Sequence, residues 1–110
     1  MKTVIVVKHD GMGHGDAELG RKILRTFFTK APQLKDIEAI LFYKAGVRCL
    51  AQGSSYQQPL STLFEDGVDL IACGTCVDAF ELRENLAFGD IGSMDQILKE
   101  MDAAAKVITL

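Results

Sequence analysis

The sequence predicts a three-layer α/β/α sandwich with a mainly parallel sheet. Apolar segments of strand length, rich in β-branched residues, alternate along the chain with segments whose apolar residues recur at helical intervals. Such alternation implies right-handed crossovers between parallel strands, with helices on both faces of the sheet. Because 110 residues suffice for one core and divide poorly into two, we expect a single domain over residues 1–110.

The first half of the chain contains two clear strands and two helices. Residues 3–8 (TVIVVK) and 37–43 (IEAILFY) have the composition of strands buried on both faces. Asp16 is predicted to cap a helix that continues to about residue 29 and is closed by Pro32. Residues 47–50 form a possible short third strand, and a further helix has Pro59 near its start and ends at Gly67.

The second half starts with a very apolar strand at residues 68–72. Thr75 is predicted to cap a helix that runs from Cys76 to about residue 86, with Asp78 returning the capping bond. Glycines at positions 89 and 92 mark a loop, and Ser93 then caps a helix over residues 94–105. Residues 107–110 form a terminal strand.

Composition excludes several classes of function. A net charge of −3 and a pI of about 5.3, without a cluster of basic residues, give no footprint for nucleic acid. No apolar run approaches the ~18 residues of a membrane span, and no cleavage site follows the first residues, so we expect a cytoplasmic protein. A hydrophobic share of 48% suggests that part of the surface is buried in a homo-oligomer.

The most informative motif is Cys73-Gly74-Thr75-Cys76, where the apolar strand turns into a helix. Unpaired backbone N–H groups at a helix start favour a thiolate, the form of cysteine that attacks sulfur or binds a metal. We therefore expect a lowered pKa for Cys76, limited by the nearby carboxylates of Asp78 and Glu81.

The thiol turn should share one edge of the sheet with two other segments, because the carboxyl ends of parallel strands meet at the same edge. These segments are the glycine-rich loop of residues 9–15 and the turn of residues 44–48. The loop lacks a complete phosphate-binding signature and is interpreted as a tight turn that leaves room above the thiols. We expect substrate contacts from Gly13, His14, Arg48, Gly74 and Thr75, although Arg48 is also suited to pair with a surface carboxylate.

Four segments together make the sequence resemble the DsrE/DsrF-like sulfur-relay superfamily, and within it the carboxyl-terminal domains of YedF-type selenium-metabolism proteins. The segments are residues 13–20 (GHGDAELG), 41–47 (LFYKAGV), 73–76 (CGTC) and 92–94 (GSM). The resemblance extends over nearly the whole chain. It implies a parallel five-stranded sheet, assembly into trimers or related homo-oligomers, and sulfur transfer through a cysteine persulfide.

The resemblance also implies which thiol carries sulfur. Sulfur-carrying members of the family have one cysteine at the start of the helix after the fourth strand, followed by valine and alanine at the positions of Val77 and Ala79. It therefore assigns the carrier role to Cys76, a sulfurtransferase-like role that is closer to a carrier than to an enzyme. Donor and acceptor proteins for sulfur or selenium are the implied partners, and no cofactor is implied.

Several alternatives remain open at the level of sequence. Cys73 is either a resolving thiol that forms a disulfide with Cys76 or a buried core residue. Cys49 has no motif around it and is assigned a structural role. His9 and His14 could activate Cys76, or join Cys73 and Cys76 in a zinc site. The alternative to the relay is a non-catalytic oligomeric scaffold in which the cysteines are structural or bind zinc.

Overall fold

The computed structural model describes residues 2–110, which form a five-stranded, all-parallel sheet with the strand order β4-β3-β2-β1-β5. This confirms the predicted parallel α/β architecture. The strands, numbered along the chain, are β1 (Thr3–Val7), β2 (Ile37–Phe42), β3 (Asp69–Cys73), β4 (Asp90–Gly92) and β5 (Lys106–Thr109).

The helices cover both faces of the sheet. They are α1 (Ala17–Lys30), α2 (Gln57–Glu65), α3 (Gly74–Ala79) and α4 (Met94–Ala103), with 3-10 helices at Ala31–Gln33 and Lys44–Leu50. Helices α1, α2 and α3 pack on one face and α4 packs on the other. Within residues 2–110, no helix has the length and apolar character that crossing a bilayer requires.

The two faces of the sheet bury separate apolar clusters. Ile5 and Ile40 point towards Leu24 of α1, whereas Val6 and Leu41 belong to the cluster around Ile97 of α4. Burial of each such side chain contributes about 1.5–3 kcal/mol, so the alternation of strand residues between two covered faces stabilises the sheet. This double coverage accounts for the nearly continuous apolar sequences of β1 and β2.

The predicted strand at residues 47–50 is wrong, because this segment belongs to the 3-10 helix Lys44–Leu50. The backbone N–H of Tyr43 donates to the carbonyl oxygen of Val7 at 3.1 Å, and Gly46 then packs directly against that carbonyl. The apolar residues Val47, Cys49 and Leu50 are buried by this packing without joining the sheet. Their apolar character therefore reports burial and not strand pairing.

The strand that completes the sheet, β4, comes instead from the segment predicted as a glycine loop. Residues Asp90, Ile91 and Gly92 pair with Ile71, Ala72 and Cys73 of β3. A strand of three residues has too little sequence to show a period of two, so its glycine-flanked composition indicated a loop. The implied count of five strands is confirmed, but the member at the edge differs from the predicted one.

Helix α3 is shorter than predicted and begins earlier. It starts at Gly74 and ends at Ala79, where Glu81 adopts a positive φ of 55°. The N–H of Leu82 then donates to the Val77 carbonyl at 2.9 Å, and the N–H of Glu81 donates to the Asp78 carbonyl at 3.0 Å. These two bonds form a Schellman motif, which stops the helix although no glycine is present. The remaining predicted elements match the structure to within two residues at each end.

Substitution of Gly46 by alanine is expected to destabilise the fold. A Cβ atom at this position would lie 2.2 Å from the Val7 carbonyl oxygen, which is backbone and cannot move independently of the sheet. Overpacking of this kind costs about 1–3 kcal/mol of unfolding free energy, measurable by chemical denaturation. Gly11→Ala is the matched control, because its Cβ would find ordinary contacts of 3.4 Å or more. Equal stability of the two variants would contradict the packing described here.

Candidate functional site

The three cysteines differ in their access to solvent. Cys49 is fully buried in the cluster beneath α1 and α2, and Cys73 is 6% exposed on the opposite face of the sheet. Cys76 is only partly buried and contacts both clusters. All three are free thiols. Cys76 is therefore the thiol that an external reagent reaches most readily.

The start of α3 holds Cys73 and Cys76 close together. Cys73 is the N-cap residue, with an extended backbone at φ −62° and ψ 120°, and Cys76 is the third residue of the helix. The predicted arrangement, with Thr75 as the cap and Cys76 as the first helical residue, is wrong. Thr75 lies exposed inside the helix, and the N-cap side chain makes no capping hydrogen bond.

A backbone N–H from a neighbouring strand end approaches the sulfur of Cys76. Lys44 follows β2 and donates its N–H to Cys76 Sγ at 3.0 Å. To do so Lys44 adopts a φ of 52°, in the left-handed region that residues other than glycine seldom occupy. Strained backbone conformations persist where surrounding structure holds them, and functional sites are common examples. Here the strain places an N–H donor at a thiol.

The pKa of the Cys76 thiol is raised and not lowered, contrary to the sequence prediction. Desolvation by burial is the largest cause, and the hydrogen bond and charge interaction with Cys73 raise it further. The N–H and the ammonium group of Lys44 oppose these effects and lower the pKa, but they do not overcome them. Cys76 is therefore mainly a thiol at neutral pH.

Asp78, one of the two carboxylates that the sequence placed near the thiol, forms an ion pair with Arg83, which follows the end of α3. Arg83 donates from Nε to Asp78 Oδ1 at 2.7 Å and from Nη2 to Oδ2 at 3.1 Å. These bonds hold the pKa of Asp78 below its usual range. Both side chains are solvent-exposed, so the pair contributes little to stability. Its consequence is positional, because it fixes a guanidinium at the edge of the thiol cavity.

Cys76 and Cys73 open into a cavity of about 730 Å³ at the carboxyl edge of the sheet. The cavity combines apolar surface from Ile91 and Met94 with charged groups from Lys44 and Arg83. It also contains Gly74 and Thr75, the two residues between the thiols, which were predicted to contact substrate. The full lining is Tyr43, Lys44, Cys73, Gly74, Thr75, Cys76, Asp78, Arg83, Ile91, Gly92, Ser93 and Met94.

The glycine-rich loop lies at a different cavity. Gly13 and His14 line a space of about 230 Å³ together with His9, and the two imidazole rings are 6.3 Å apart at their centroids. None of these three residues lines the cavity that contains the thiols. The structure therefore brings together only part of the predicted set of substrate contacts.

Arg48 is engaged away from the thiol cavity. Its guanidinium lies 3.6 Å from Asp10 Oδ2 and 4.3 Å from the centroid of the Phe80 ring. A cation over an aromatic face within ~6 Å is a stabilising contact. Arg48 thus pairs with a surface carboxylate, the second of the two roles considered for it. It joins the glycine-rich loop to the end of α3.

Sequence reasoning missed six residues of the thiol cavity: Tyr43, Arg83, Ile91, Gly92, Ser93 and Met94. Ile91 belongs to the unrecognised strand β4, and Ser93 and Met94 follow it. Had β4 been recognised, the rule that ligands gather at the carboxyl ends of parallel strands would have placed them at this edge. Arg83 had no sequence signal, because it reaches the cavity only after α3 ends early.

The zinc alternative has no ligand cluster in the part of the chain that the structure describes. Residues 2–110 contain no group of three or more histidine, cysteine, aspartate or glutamate side chains that could together hold a metal ion. The two histidines and the two cysteines line separate cavities. A tetrahedral zinc site requires ligands that converge on one point.

A family model described as the DsrE/DsrF-like family matches residues 1–110. The chain belongs to the DsrE/DsrF-like family. This family is associated with sulfur relay. No curated protein matches the chain.

Solved structures agree with the fold of this DsrE/DsrF-like chain. YchN from E. coli is similar at a TM-score of 0.75 and 23% identity, over 99% of this chain and 98% of that chain. A protein of unknown function from Methanobacterium thermoautotrophicum gives 0.73 and 21%, with the same coverages of 99% and 98%. A protein of unknown function from Bacteroides thetaiotaomicron gives 0.68 and 19%, over 99% and 94%. At these identities the likeness concerns the fold alone.

The reactivity of Cys76 is expected to rise with pH, with a midpoint above the ordinary pKa of cysteine. Lys44→Met keeps the backbone N–H but removes the ammonium group, so it should raise the pKa of Cys76 further. The rate of iodoacetamide alkylation, followed at the Cys76 peptide as a function of pH, measures the midpoint in the wild type and in Lys44→Met. Lys22→Met removes an equal charge at another cavity and should leave the midpoint unchanged. A Lys44→Met midpoint equal to that of the wild type would contradict this electrostatic account.

Arg83→Gln is expected to return the pKa of Asp78 towards its ordinary value, as measured by carboxyl NMR titration. The pair exists while Asp78 is ionised, so its small contribution to stability is present near neutral pH and lost as pH falls through the lowered pKa. Lys99→Gln, at a different cavity, is the charge-matched control. An unchanged Asp78 titration in Arg83→Gln would show that the bidentate contact does not persist in solution.

Proposed function

We propose that this protein is a small sulfur or selenium relay protein, in which Cys76 accepts a sulfane sulfur as a cysteine persulfide and passes it to a partner. The observation that carries the proposal is the partly exposed Cys76 thiol, held by the Lys44 N–H at 3.0 Å on the wall of a cavity of about 730 Å³. Membership in a family associated with sulfur relay supports sulfur as the group that Cys76 carries.

Acceptance of sulfur requires a thiolate at Cys76 and a donor whose terminal sulfur is bound to a leaving thiol. The thiolate attacks that sulfur, the bond to the donor thiol breaks, and the donor leaves as a thiolate. The Lys44 N–H stabilises negative charge on Cys76 Sγ both before attack and when Cys76 later leaves as the sulfur moves on. The Cys76 thiol first loses its proton to solvent, and the departing donor thiolate takes up a proton from solvent.

The cavity suits a donor or acceptor that presents sulfur to Cys76. Its apolar wall at Ile91 and Met94 can pack against a partner, while Lys44 and Arg83 attract negative charge. A partner's cysteine-bearing segment and a small anionic persulfide would both meet this description. The roles proposed for Gly74 and Thr75 are backbone and side-chain contacts to that donor.

Apolar surface outside the cavity supports assembly into a homo-oligomer, of which a trimer is the form proposed. Leu19 and Ile23 of α1 are 53% and 44% exposed, and Leu98 of α4 is 56% exposed. Exposed apolar side chains on two helices favour contacts between proteins. We propose that this oligomer acts in the cytoplasm as a carrier built from one domain.

A non-catalytic scaffold is the second candidate, and the raised pKa of Cys76 favours it. A thiol that stays protonated at neutral pH reacts slowly, and packing or partner binding would then be the role of the site. In this case substitution of Cys76 would leave partner binding intact.

The relay predicts a persulfide on Cys76. The protein is incubated with glutathione persulfide, quenched at early times with an alkylating agent, and analysed by intact and peptide mass spectrometry. We expect an adduct of one sulfur atom at Cys76, reversed by reductant and lost in Cys76→Ser because serine cannot form a persulfide.

Cys49→Ala is the matched control, since the Cys49 thiol is enclosed in the core and should not take up sulfur. Adduct formation in Cys76→Ser equal to that of the wild type, or neither an adduct nor released hydrosulfide in any variant, would contradict the relay and leave the scaffold.

A further inference from the structure

A second thiol, Cys73, shares the cavity with Cys76, although a carrier needs only one thiol. The Cys73 thiol is one of the groups that raise the pKa of Cys76, and both side chains pack in the apolar cluster around Ile97. Both line the same cavity, and they occupy the N-cap and the third residue of the short helix α3. Cysteines separated by two residues at a helix start are well suited to form a disulfide.

We propose that Cys73 attacks a persulfide formed on Cys76, which releases hydrosulfide into the cavity and closes a Cys73–Cys76 disulfide. The inference rests on the proposed function, since it starts from sulfur bound to Cys76. It gives the protein a second activity, the reductive release of sulfane sulfur, for which a dithiol reductant is the partner that restores the thiols.

The step balances in atoms and electrons. The Cys73 thiolate forms a bond to Cys76 Sγ, the bond between Sγ and the outer sulfur breaks, and the outer sulfur leaves with the bonding pair as hydrosulfide. The outer sulfur is reduced by two electrons, and the two cysteines are oxidised to the disulfide. The dithiol then reduces the disulfide by exchange and is itself oxidised.

Access to Cys76 distinguishes Cys73 from Cys49. Cys73 is 6% exposed, so partner proteins reach it poorly, but its sulfur makes no helix-capping bond and contacts Cys76. Cys49 is fully buried and does not line the cavity that contains Cys73 and Cys76. An attacking group held next to its target gains a large effective concentration.

The architecture around β4 leaves an exit for the product. Gly92 pairs with Cys73 in the sheet, and both residues line the cavity with Cys76. Hydrosulfide formed at this point is released directly into the cavity and needs no channel. The N–H of Lys44 remains on Cys76 Sγ and draws electron density from it, which makes that sulfur a better target for Cys73.

The test is a single-turnover reaction of the full chain with glutathione persulfide, without reductant, in which hydrosulfide is measured and disulfides are located by peptide mapping. The wild type should release about one hydrosulfide per chain and form the Cys73–Cys76 disulfide. Cys73→Ser should instead accumulate the Cys76 persulfide and reduce hydrosulfide to background. Cys49→Ala should behave as the wild type.

Two outcomes separate this inference from the proposed function. A stable Cys76 persulfide in the wild type, equal to that in Cys73→Ser, would overturn the release step while leaving the relay intact. No sulfur on Cys76 in either protein, and no hydrosulfide, would overturn both. In Cys73→Ser, Cys76 could instead carry glutathione in place of a persulfide. That result would show that hydrosulfide leaves from glutathione persulfide and not from a Cys76 persulfide, and it would also overturn the inference.

The wild-type disulfide map keeps the test valid if Cys73→Ser folds poorly, because it needs no substitution. Cys73→Ala, which places no hydroxyl in the partly apolar N-cap position, provides a second variant with the same expected result. Absence of the Cys73–Cys76 disulfide in wild-type protein that has taken up sulfur would overturn the inference by itself.

Discussion

The parallel arrangement of the five strands is the constraint on which the site depends. Parallel strands place all their carboxyl ends at one edge, so the residues after β2, β3 and β4 meet there although they are distant in sequence. The hydrogen bond from Lys44 to Cys76 is the most direct result, since it joins the end of β2 to the turn after β3 at 3.0 Å. It forms only if both strands are paired in register, which links the chemistry of one sulfur to the integrity of the sheet.

The state of Cys76 reflects a competition between burial and polar contacts. Burial and the neighbouring Cys73 raise its pKa, while the N–H and charge of Lys44 lower it, and the first pair of effects prevails. A thiol that remains mainly protonated is protected from unspecific oxidation, which depends on the thiolate. Arg83, fixed by Asp78 at the edge of the cavity, keeps a cation in the cavity that both thiols line.

Long elements with a clear periodicity could be predicted from the sequence, and short ones set by tertiary contacts could not. Helix α1 and strands β1 to β3 carry their burial pattern in the order of apolar residues. The 3-10 helix Lys44–Leu50 and the early end of α3 depend on a backbone approach to Val7 and on a positive φ at Glu81, for which the sequence has no signal. The thiol turn was predicted at the correct edge because it follows the recognisable strand β3. Arg83 was not predicted to lie beside it, because its position depends on the early end of α3.

Peptide-resolved labelling of the three thiols in the native protein tests the central claim, that Cys76 is the reactive sulfur, most directly. The folded protein is treated with a trace of alkylating reagent, and the modified fraction of each cysteine is followed with time. The account predicts that Cys76 reacts first, that Cys73 lags because it is almost fully buried, and that Cys49 reacts only on unfolding. Labelling of Cys76 no faster than that of Cys49 would contradict it.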